Sequence, residues 1–570
     1  MKDFYLVCLF LSSILSAQQG FILPRGKAEY RQDMCVSPTG DRILFGEIPL
    51  DSTIPLDLDP GSGVARFPGT DKEDPGSASY LASYAPNGEL NFAILLSDST
   101  KAHNVVNAYY LDTDNDGNIY VQGIFHGYLD FDPSEEDYIV TNPEENRWMT
   151  YVASYTPQGA FRFVITLPDY QPAIYQNARL RQFGVDGEGN SYSMIGYADH
   201  SFDYDFGDGE AIMEGKRSVI ASYDRDGNYR FAFETFHAFN SLGVSKMGDF
   251  YLSGAHRSED ADFDLDPDPN STYYVPEMEE AISSIVLSFT AQGNLRWAHP
   301  MGVHSWLLDG DKDGNLYMAG PMNPGEVDFD FSADTFLLKV DPTYADHDYF
   351  LAKYARDGQL VKALLLEERS DSFALESISE FALSEDGDLY LSGRIYGENL
   401  DLDPSENEVL VSGQGTYGER VLIAGYDSDL NYRFGYTLGD TMVDQISDLG
   451  LWFKIAPSHV CGDYVIMADV PLPQTIDFDP REGSEYVPVG VNPGSHTVGL
   501  ALITYTHDLN EGGMDCLLSG IADRQPRTTA SLRVYPNPSV TGNFEIDLSF
   551  ANGAPAQYLV ADVSGRIVRR

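Results

Sequence analysis

The chain has 570 residues, of which 43% are hydrophobic and 12% aromatic, and Tyr is the commonest aromatic with 36 residues. Its length exceeds what one ordinary hydrophobic core supports, so the sequence predicts a large repeat architecture, several domains, or both. A formal net charge of -52 argues against nucleic acid and anionic membranes as partners, because both would be repelled.

The first residues predict a signal peptide. Lys2 is followed by an apolar run from Tyr5 to Leu15 and then by the small residues Ser16 and Ala17. The run is too short to span a bilayer, so we expect cleavage near Ala17 and removal of residues 1–17. No later segment reaches the roughly 18 apolar residues of a membrane helix, and no transmembrane segment is expected.

A hairpin signal recurs along the chain and defines a repeat. Its glycine can adopt positive φ, and the residues after it alternate between apolar and polar as in a strand. Successive glycines of this signal lie 59 to 77 residues apart. They are Gly40, Gly117, Gly189, Gly248, Gly314, Gly387 and Gly462.

A second element, Asp-x-Asp followed by Pro or Phe, comes after every hairpin. Proline cannot donate to a sheet ladder, so it ends the strand there. The paired carboxylates fit a structural corner, calcium binding or acid-base catalysis. Their recurrence favours the corner, because a catalytic pair is needed only once. The pairs begin at Asp57, Asp130, Asp203, Asp264, Asp328, Asp401 and Asp477.

A third element closes the units with an aromatic residue, a glycine and a second aromatic at intervals of four. Complete copies begin at Tyr84, Tyr155, Tyr223 and Phe289. The fifth unit keeps Tyr354 and Gly358 without the second aromatic, and the sixth has Leu430 at the glycine position. Each copy predicts two strands and a turn.

Together these elements indicate four strands per unit. Such sheets repeated around an axis form a propeller, so we predict an all-β fold with a seven-bladed β-propeller over residues 21–515. The seventh unit lacks its last strand, and Phe21 to Leu23 are expected to supply it and close the ring. An open β-solenoid is the alternative, although its repeats are usually far shorter.

Two hairpins carry candidate metal ligands. Alternate carboxylates followed by Gly can surround Ca²⁺, but the later acidic ligands of an EF-hand loop are replaced by Tyr and Gly. A hairpin stabilised by its own Asp side chains is therefore the alternative to a calcium site. The candidate ligands are Asp112, Asp114 and Asp116 in the second unit and Asp309, Asp311 and Asp313 in the fifth.

No motif of an enzyme stands out. The sequence lacks H-E-x-x-H and G-x-S-x-G, and Trp148, Trp297, Trp306 and Trp452 fit either core packing or a sugar-stacking platform. We expect a monomeric, non-catalytic module that binds an extracellular glycan or protein. The alternative is an enzyme acting on polysaccharide or peptide at the propeller channel. An unrepeated pocket of converging acids or His would favour the enzyme, and similar channel residues in every unit would favour binding.

Three cysteines follow the predicted signal peptide, in a chain expected to leave the reducing cytosol. A disulfide between Cys461 and Cys516 is expected because both lie near the end of the last unit. A bridge from Cys35 to Cys516 is the alternative. Zinc is not expected, because no two of these cysteines have C-x-x-C spacing.

The repeat resembles bacterial β-propeller repeats of the SBBP type. Their units carry D-x-x-G-N-x-Y-x-x-G followed by a strand ending in K-Y or S-Y. Here the best copies are D-N-D-G-N-I-Y-V-Q-G from Asp114 to Gly123 and D-K-D-G-N-L-Y-M-A-G from Asp311 to Gly320. The resemblance extends from about Phe21 to Asn510 and implies a fold rather than an activity.

The chain end resembles the sorting domain that the type IX secretion system of Bacteroidota-group bacteria recognises. After a polar linker at residues 516–530, V-Y-P-N-P contains Tyr535, Pro536, Asn537 and Pro538, and D-V-S-G-R-I-V contains Gly565. The resemblance implies export through the periplasm to the medium or the outer-membrane surface, with the secretion machinery as a partner. Residues 531–570 are too few to complete the small β-sandwich of that family, so we expect either a truncated sequence or impaired sorting.

Overall fold

The structure is a computed structural model in which the chain divides into two compact units. One unit spans Ser16–Thr506, and the described strands after residue 530 belong to the other. The structure describes residues 16–24, 32–49, 56–59, 66–67, 77–96, 106–132, 134, 138–142, 148–167, 183–195, 201–214, 218–235, 239–256, 264–274, 283–341, 347–368, 375–395, 397, 399–405, 408–413, 420–438, 453–457, 464–471, 498–506, 531–535, 545–549, 560–561 and 567–569.

The larger unit consists of strands joined by turns and loops, as the Tyr-rich composition predicts. Its described residues include no helix. In chain order, the strands are β1 (Ser16–Pro24), β2 (Gln32–Val36), β3 (Arg42–Pro49), β4 (Leu56–Asp57), β5 (Arg66–Phe67), β6 (Ser77–Tyr84), β7 (Leu90–Leu96), β8 (Val106–Thr113), β9 (Ile119–Phe125), β10 (Tyr128–Asp130), β11 (Ile139–Thr141), β12 (Met149–Tyr155), β13 (Phe161–Leu167), β14 (Phe183–Val185), β15 (Ser191–Ile195), β16 (Phe202–Asp203), β17 (Ile212–Met213), β18 (Ser218–Tyr223), β19 (Tyr229–Thr235), β20 (Phe239–Val244), β21 (Phe250–His256), β22 (Ser283–Phe289), β23 (Leu295–Met301), β24 (Leu307–Gly310), β25 (Leu316–Met322), β26 (Gly325–Asp328), β27 (Leu337–Val340), β28 (Asp348–Tyr354), β29 (Leu360–Glu368), β30 (Leu375–Leu383), β31 (Leu389–Ile395), β32 (Leu400–Asp401), β33 (Leu410–Val411), β34 (Arg420–Tyr426), β35 (Tyr432–Leu438), β36 (Phe453–Pro457), β37 (Tyr464–Pro471) and β38 (Val498–Thr506).

These strands form a propeller-like ring of small antiparallel sheets. Counted over the described residues, the ring has six four-stranded sheets and one six-stranded sheet, beside four two-stranded sheets, β4-β5, β10-β11, β16-β17 and β26-β27. We number the larger sheets by their first strand: I (β2-β3-β6-β7), II (β8-β9-β12-β13), III (β14-β15-β18-β19), IV (β20-β21-β22-β23), V (β24-β25-β28-β29-β32-β33), VI (β30-β31-β34-β35) and VII (β36-β37-β38-β1). The first strand of each sheet contacts the first strand of the next, and β36 contacts β2. These first strands therefore surround a central channel.

Sheet VII joins the two ends of the ring. Its outer strand is β1, which pairs antiparallel with β38 so that Phe21 lies opposite Leu502 and Leu23 opposite Leu500. The predicted supply of the last strand by Phe21 to Leu23 is therefore confirmed. This pairing covers an edge that would otherwise be left with unpaired backbone groups.

The first hairpins of sheets II and VI are held by side chains of their own turns. In sheet II the Asp114 carboxylate accepts the backbone N–H groups of Asp116 and Asn118 at 3.0 and 2.8 Å and the Asn118 amide at 2.7 Å. Sheet VI has Ser384 in the position of Asp114, and there the Asp388 N–H donates to the Ser384 hydroxyl at 3.0 Å. Both solutions satisfy turn N–H groups locally, which is why Asp, Asn and Ser recur in these turns.

In sheets I to VI the Asp-x-Asp elements form corners between the second and third strands, and the element that begins at Asp477 lies outside the described residues. Asp130 shows the arrangement, because its Oδ1 accepts the N–H groups of Asp132 at 3.1 Å and Tyr138 at 2.9 Å. The intervening Phe131 is buried, and its carbonyl accepts the Tyr155 hydroxyl at 3.0 Å. Sheets I, III, V and VI repeat this hydroxyl contact through Tyr84, Tyr223, Tyr354 and Tyr426. The corner carboxylate is thus a structural element of the repeat.

Neighbouring sheets meet where an aromatic ring of one packs on a turn glycine of the next. At Gly227, which has φ +84°, an added Cβ would lie 2.9 Å from the Phe163 ring, so only glycine fits without displacement. The same contact recurs along the ring between Phe92 and Gly159, Phe231 and Gly293, and Trp297 and Gly358.

The next contact in the series explains why the third element changes in two successive units. Lys362 occupies the aromatic position of sheet V, and its ammonium donates to the Leu430 carbonyl at 3.0 Å and to Asn431 Oδ1 at 2.8 Å. Leu430, the residue at the glycine position of sheet VI, has φ +55° and is buried. Lys362, which replaces the aromatic residue, and Leu430, which replaces the glycine, are therefore partners in a single contact.

The smaller unit contains two described strand pairs. Strand β39 (Ser531–Tyr535) pairs antiparallel with β40 (Glu545–Ser549), and β41 (Val560–Ala561) pairs with β42 (Ile567–Arg569). Across the described parts of both units, no helix is long and apolar enough to cross a membrane.

Deletion of Phe21 to Leu23 tests the closure of the ring. The deletion removes three paired positions of β1 and shifts its alternation by an odd number of residues, so the strand can no longer keep its register. We expect the free energy of unfolding to fall by about 3 kcal/mol in denaturant titrations. Deletion of Ile567 to Arg569, in the other unit, is the control and should leave the main transition unchanged. An unchanged transition in the β1 variant would contradict closure by this strand.

Candidate channel site

The channel contains a cavity with a volume of about 180 Å³. Its wall includes residues from β2, β8, β14, β20, β24, β30 and β36 or from the turns that follow these strands. A ligand in this cavity would therefore contact every sheet. The cavity is the natural place to look for chemistry in such a ring.

The channel wall is not repeated around the ring. One position on the first strand of each sheet has the same register throughout the ring. It lies opposite the third residue after the hairpin glycine. The residues are Cys35, Asp112, Gly184, Gly243, Asp309, Ala382 and Ala456. The seven positions hold one Cys, two Asp, two Gly and two Ala, so thiol or carboxyl side chains stand at this register only in sheets I, II and V.

A lysine from sheet IV reaches across the channel wall to sheets II and III. Lys246 Nζ lies 3.3 Å from Asp112 Oδ1 and donates to the carbonyls of Thr113 at 3.0 Å and Val185 at 3.3 Å. The other oxygen of Asp112 accepts the Val185 N–H at 2.9 Å. The pair connects three successive sheets, and all three ammonium protons have acceptors.

A second ion pair connects sheets VII, I and II. Lys454 Nζ contacts Asp33 Oδ1, which also accepts the Met34 N–H at 2.8 Å. Asp33 Oδ2 accepts the Leu111 N–H of sheet II at 2.6 Å. Asp33 is buried and accepts hydrogen bonds from a lysine and from backbone donors of its own strand and the next. Burial lowers the pKa of Lys454 to about 7, so its ammonium is only partly charged at neutral pH.

The charges around Cys35 do not activate its thiol. Burial raises the pKa of Cys35 well above its ordinary value, and the Asp112 carboxylate raises it further, while Lys246 lowers it. For Lys246 itself, the restricted access of water lowers the pKa, but Asp112 and then Asp309 outweigh this effect, so the pKa is raised. At neutral pH the site holds a protonated thiol and a charged lysine.

The first calcium candidate has its carboxylates directed to different partners. Asp114 accepts four donors, of which the last is the Tyr120 hydroxyl at 3.2 Å. Asp112 belongs to the Lys246 pair, and Asp116 lies 2.7 Å from Arg225 of sheet III. This arrangement favours the self-stabilised hairpin over convergence on a cation.

The second candidate repeats the pattern. Asp311 accepts the N–H groups of Asp313 at 3.0 Å and Asn315 at 2.8 Å, and Asp309 accepts the Gly310 N–H at 3.0 Å. Asp313 is exposed. Within the described ranges, no three His, Cys, Asp or Glu side chains gather as a metal site. Calcium at either hairpin stays a prediction.

Several other predicted sites have only partial descriptions. Trp297 packs in the core and donates its indole N–H to the Arg356 carbonyl at 3.0 Å, whereas Trp306 is exposed. Tyr535 ends β39. Cys35 is a free thiol in the described part of the chain. The remaining predicted residues lie outside the described residues: Trp452, Cys461, Cys516, Pro536, Asn537, Pro538 and Gly565.

Sequence reasoning missed the polar contacts that accompany the third element. Arg162 donates to Ser154 Oγ at 2.8 Å and to the Arg225 carbonyl of the next sheet at 2.7 Å. Arg230 repeats this with Ser222 and with the Ala291 carbonyl of sheet IV. The signal was present, because Ser precedes the first aromatic and Arg the second in these units. Lys246 gave a weaker signal: it stands two residues before Gly248, as Lys312 stands two residues before Gly314, but nothing in the sequence pairs it with Asp112.

The sequence matches no protein-family model and no curated protein. Solved structures with some similarity include a eukaryotic initiation factor, 9% identical, covering 84% of this chain and 81% of that chain with a TM-score of 0.33. A protein of unknown function from Bacteroides caccae is 9% identical and covers 61% of this chain and 93% of that chain, with a TM-score of 0.24. Pyrococcus horikoshii acylaminoacyl peptidase is 10% identical, covering 68% of this chain and 46% of that chain, with a TM-score of 0.33. These similarities are too distant to inform the site.

Replacement of Lys246 by Met tests the role of the channel pair. Loss of the ammonium leaves Asp112 and two carbonyls without their partner, and the lysine side chain is 37% exposed, which moderates the cost. We expect the free energy of unfolding to fall by about 1–2 kcal/mol, with part of the loss recovered when Asp112→Asn is added. Lys312→Met, which breaks an exposed pair with Asp386, is the matched control and should cost less than about 0.5 kcal/mol. Equal effects of the two lysine substitutions would contradict this role.

Proposed function

We propose that this chain is a secreted or cell-surface binding module without catalytic activity, built on a monomeric seven-bladed propeller. The observation that carries the proposal is the state of two of the channel carboxylates. Asp33 and Asp112 are each paired with a lysine and bonded to the backbone of a neighbouring sheet. General acid-base catalysis needs a carboxyl group that can exchange protons with substrate, and these two groups are committed to holding sheets together.

The six-stranded sheet V is proposed as the seventh blade. Its first four strands, β24, β25, β28 and β29, have the same antiparallel order as the strands of the other sheets. The additional strands β32 and β33 belong to the corner hairpin of the next unit, and they join the sheet where Glu367 lies opposite Asp401. Without β32 and β33, sheet V has four strands like the other sheets, and the ring consists of equivalent four-stranded blades.

Export by the type IX secretion system is proposed from the sequence of the chain end. The V-Y-P-N-P and D-V-S-G-R-I-V motifs support it, as does the predicted signal peptide at residues 1–17. Export to the outer-membrane surface or the medium would place the acidic surface where extracellular glycans and proteins are available as ligands.

An enzyme of extracellular polysaccharide or peptide is the second candidate. The observation in its favour is the unrepeated channel wall, which brings Asp112, Asp309 and Cys35 to equivalent positions of three sheets. Catalysis by Asp112 requires that the substrate displace Lys246, because the lysine ammonium lies 3.3 Å from the Asp112 carboxylate.

The two candidates differ in whether a bound ligand is converted. The test measures binding to glycan and protein arrays and, with the same protein, turnover of polysaccharides and peptides. We expect at least one retained ligand and no turnover. Turnover that is lost in the Asp112→Asn or Asp309→Asn variant, while array binding persists, would contradict the proposal and support the enzyme.

A further inference from the structure

The corner hairpins place an exposed apolar side chain at the same position in five successive sheets. Ile139, Ile212, Leu337 and Leu410 lie opposite the first Asp of their corners. Tyr274 is the equivalent in sheet IV, because the carbonyl of the residue before it accepts the Leu265 N–H just as Tyr138 accepts the Phe131 N–H. We call these five side chains the apolar ring.

The apolar ring lies on one face of the propeller-like unit. All its members belong to connections between the second and third strands of their sheets, and such connections leave every sheet on the same side. Their exposed fractions range from 43% for Leu410 to 59% for Ile212. Single exposed apolar residues are ordinary, but their recurrence at one register position of one face indicates an interaction surface.

The surroundings of the apolar ring are acidic. The five corner segments, 130–141, 203–213, 264–274, 328–340 and 401–411, carry three to five carboxylates each and a single lysine between them. That lysine, Lys339, is paired with Glu326 at 3.1 Å. Exposed carboxylates include Asp208, Asp334 and Glu408. The face therefore combines repeated aliphatic contacts with a strong negative potential.

The apolar and acidic character of this face restricts which partner can bind to it. A second copy of the chain would bring the same acidic face against itself, and nucleic acid or an anionic membrane would be repelled by the net charge of -52. The same corners also expose the aromatic side chains of Tyr138, Phe206 and Phe336, and stacking of sugar rings on such side chains is the competing outcome that the array ligands test. Lysine and arginine side chains fit both features, because their aliphatic stems cover apolar surface while their charged ends meet carboxylates.

We infer that the apolar ring is a multivalent docking surface for a basic polypeptide whose Lys or Arg stems pack on the five apolar side chains. The inference deepens the proposed binding function and rests on it, because it names the partner class of that module. Five equivalent sites on one face permit simultaneous engagement by one extended chain, so affinity rises steeply with the number of sites occupied.

The test separates apolar docking from simple attraction of a polycation to an acidic protein. Two synthetic peptides of equal length and charge serve as probes, one alternating Lys with Leu and the other Lys with Ser. The ring variant carries Ile139→Thr, Ile212→Thr, Tyr274→Thr, Leu337→Thr and Leu410→Thr, which leave the charge unchanged and keep residues suited to strands. The matched control carries Met247→Thr and Val361→Thr, at exposed apolar positions outside the corners.

Binding is measured by fluorescence anisotropy at physiological ionic strength, with circular dichroism to compare the folded state of the variants. We expect the full chain to bind the Lys-Leu peptide at least about tenfold more tightly than the Lys-Ser peptide. The ring variant should lose this difference, and the matched control should keep it. Equal binding of both peptides by the unaltered chain, or an undiminished preference in a folded ring variant, would overturn the docking surface. An array ligand that the ring variant still binds would preserve the binding function while overturning its assignment to this face.

Discussion

Close packing of an aromatic ring of one sheet on a turn glycine of the next, at four successive boundaries, is the contact on which the ring depends. On one side of the sheet, rings such as Phe163 press on glycines such as Gly227. Near the channel, the Tyr120 hydroxyl and Asp114 pack on Gly189 in the same way. Both contacts need a residue without a side chain at positive φ, so the same glycine that forms the turn also sets the spacing between sheets. The hairpin glycine therefore indicates close packing between neighbouring sheets as well as a tight turn.

The sequence predicted the repeating elements well because they depend on local chemistry. Hairpin glycines, Asp corners and the closure by Phe21 to Leu23 all follow from turn preferences and strand alternation. Contacts between units were less accessible. The changes at Lys362 and Leu430 looked like two separate departures from the repeat, although they are partners across one boundary. The Asp112 and Lys246 pair could not be predicted, because it joins residues 134 positions apart and occurs once.

The channel wall, which differs from sheet to sheet, and the corner face, which repeats, have different implications for function. In the channel, the lysines of sheets IV and VII contact buried or half-buried carboxylates and connect neighbouring sheets. This use of charge supports the ring and explains why a strongly acidic chain retains lysines there. On the corner face, the five corner segments carry three to five carboxylates each and a single lysine between them, and they present the apolar ring. The face is thus the place where the acidity of the chain can select a partner.

The dependence of neighbouring sheets on the ring-to-glycine contact is best tested by a double-mutant cycle at Phe163 and Gly227. Gly227→Leu alone should lower the free energy of unfolding by about 3 kcal/mol, from the clash and the positive φ. Adding Phe163→Lys recreates the natural Lys362 and Leu430 combination at this boundary. Equilibrium denaturation should then show a favourable coupling of about 1–2 kcal/mol between the two substitutions. Strictly additive losses would contradict the interdependence of the ring and the glycine.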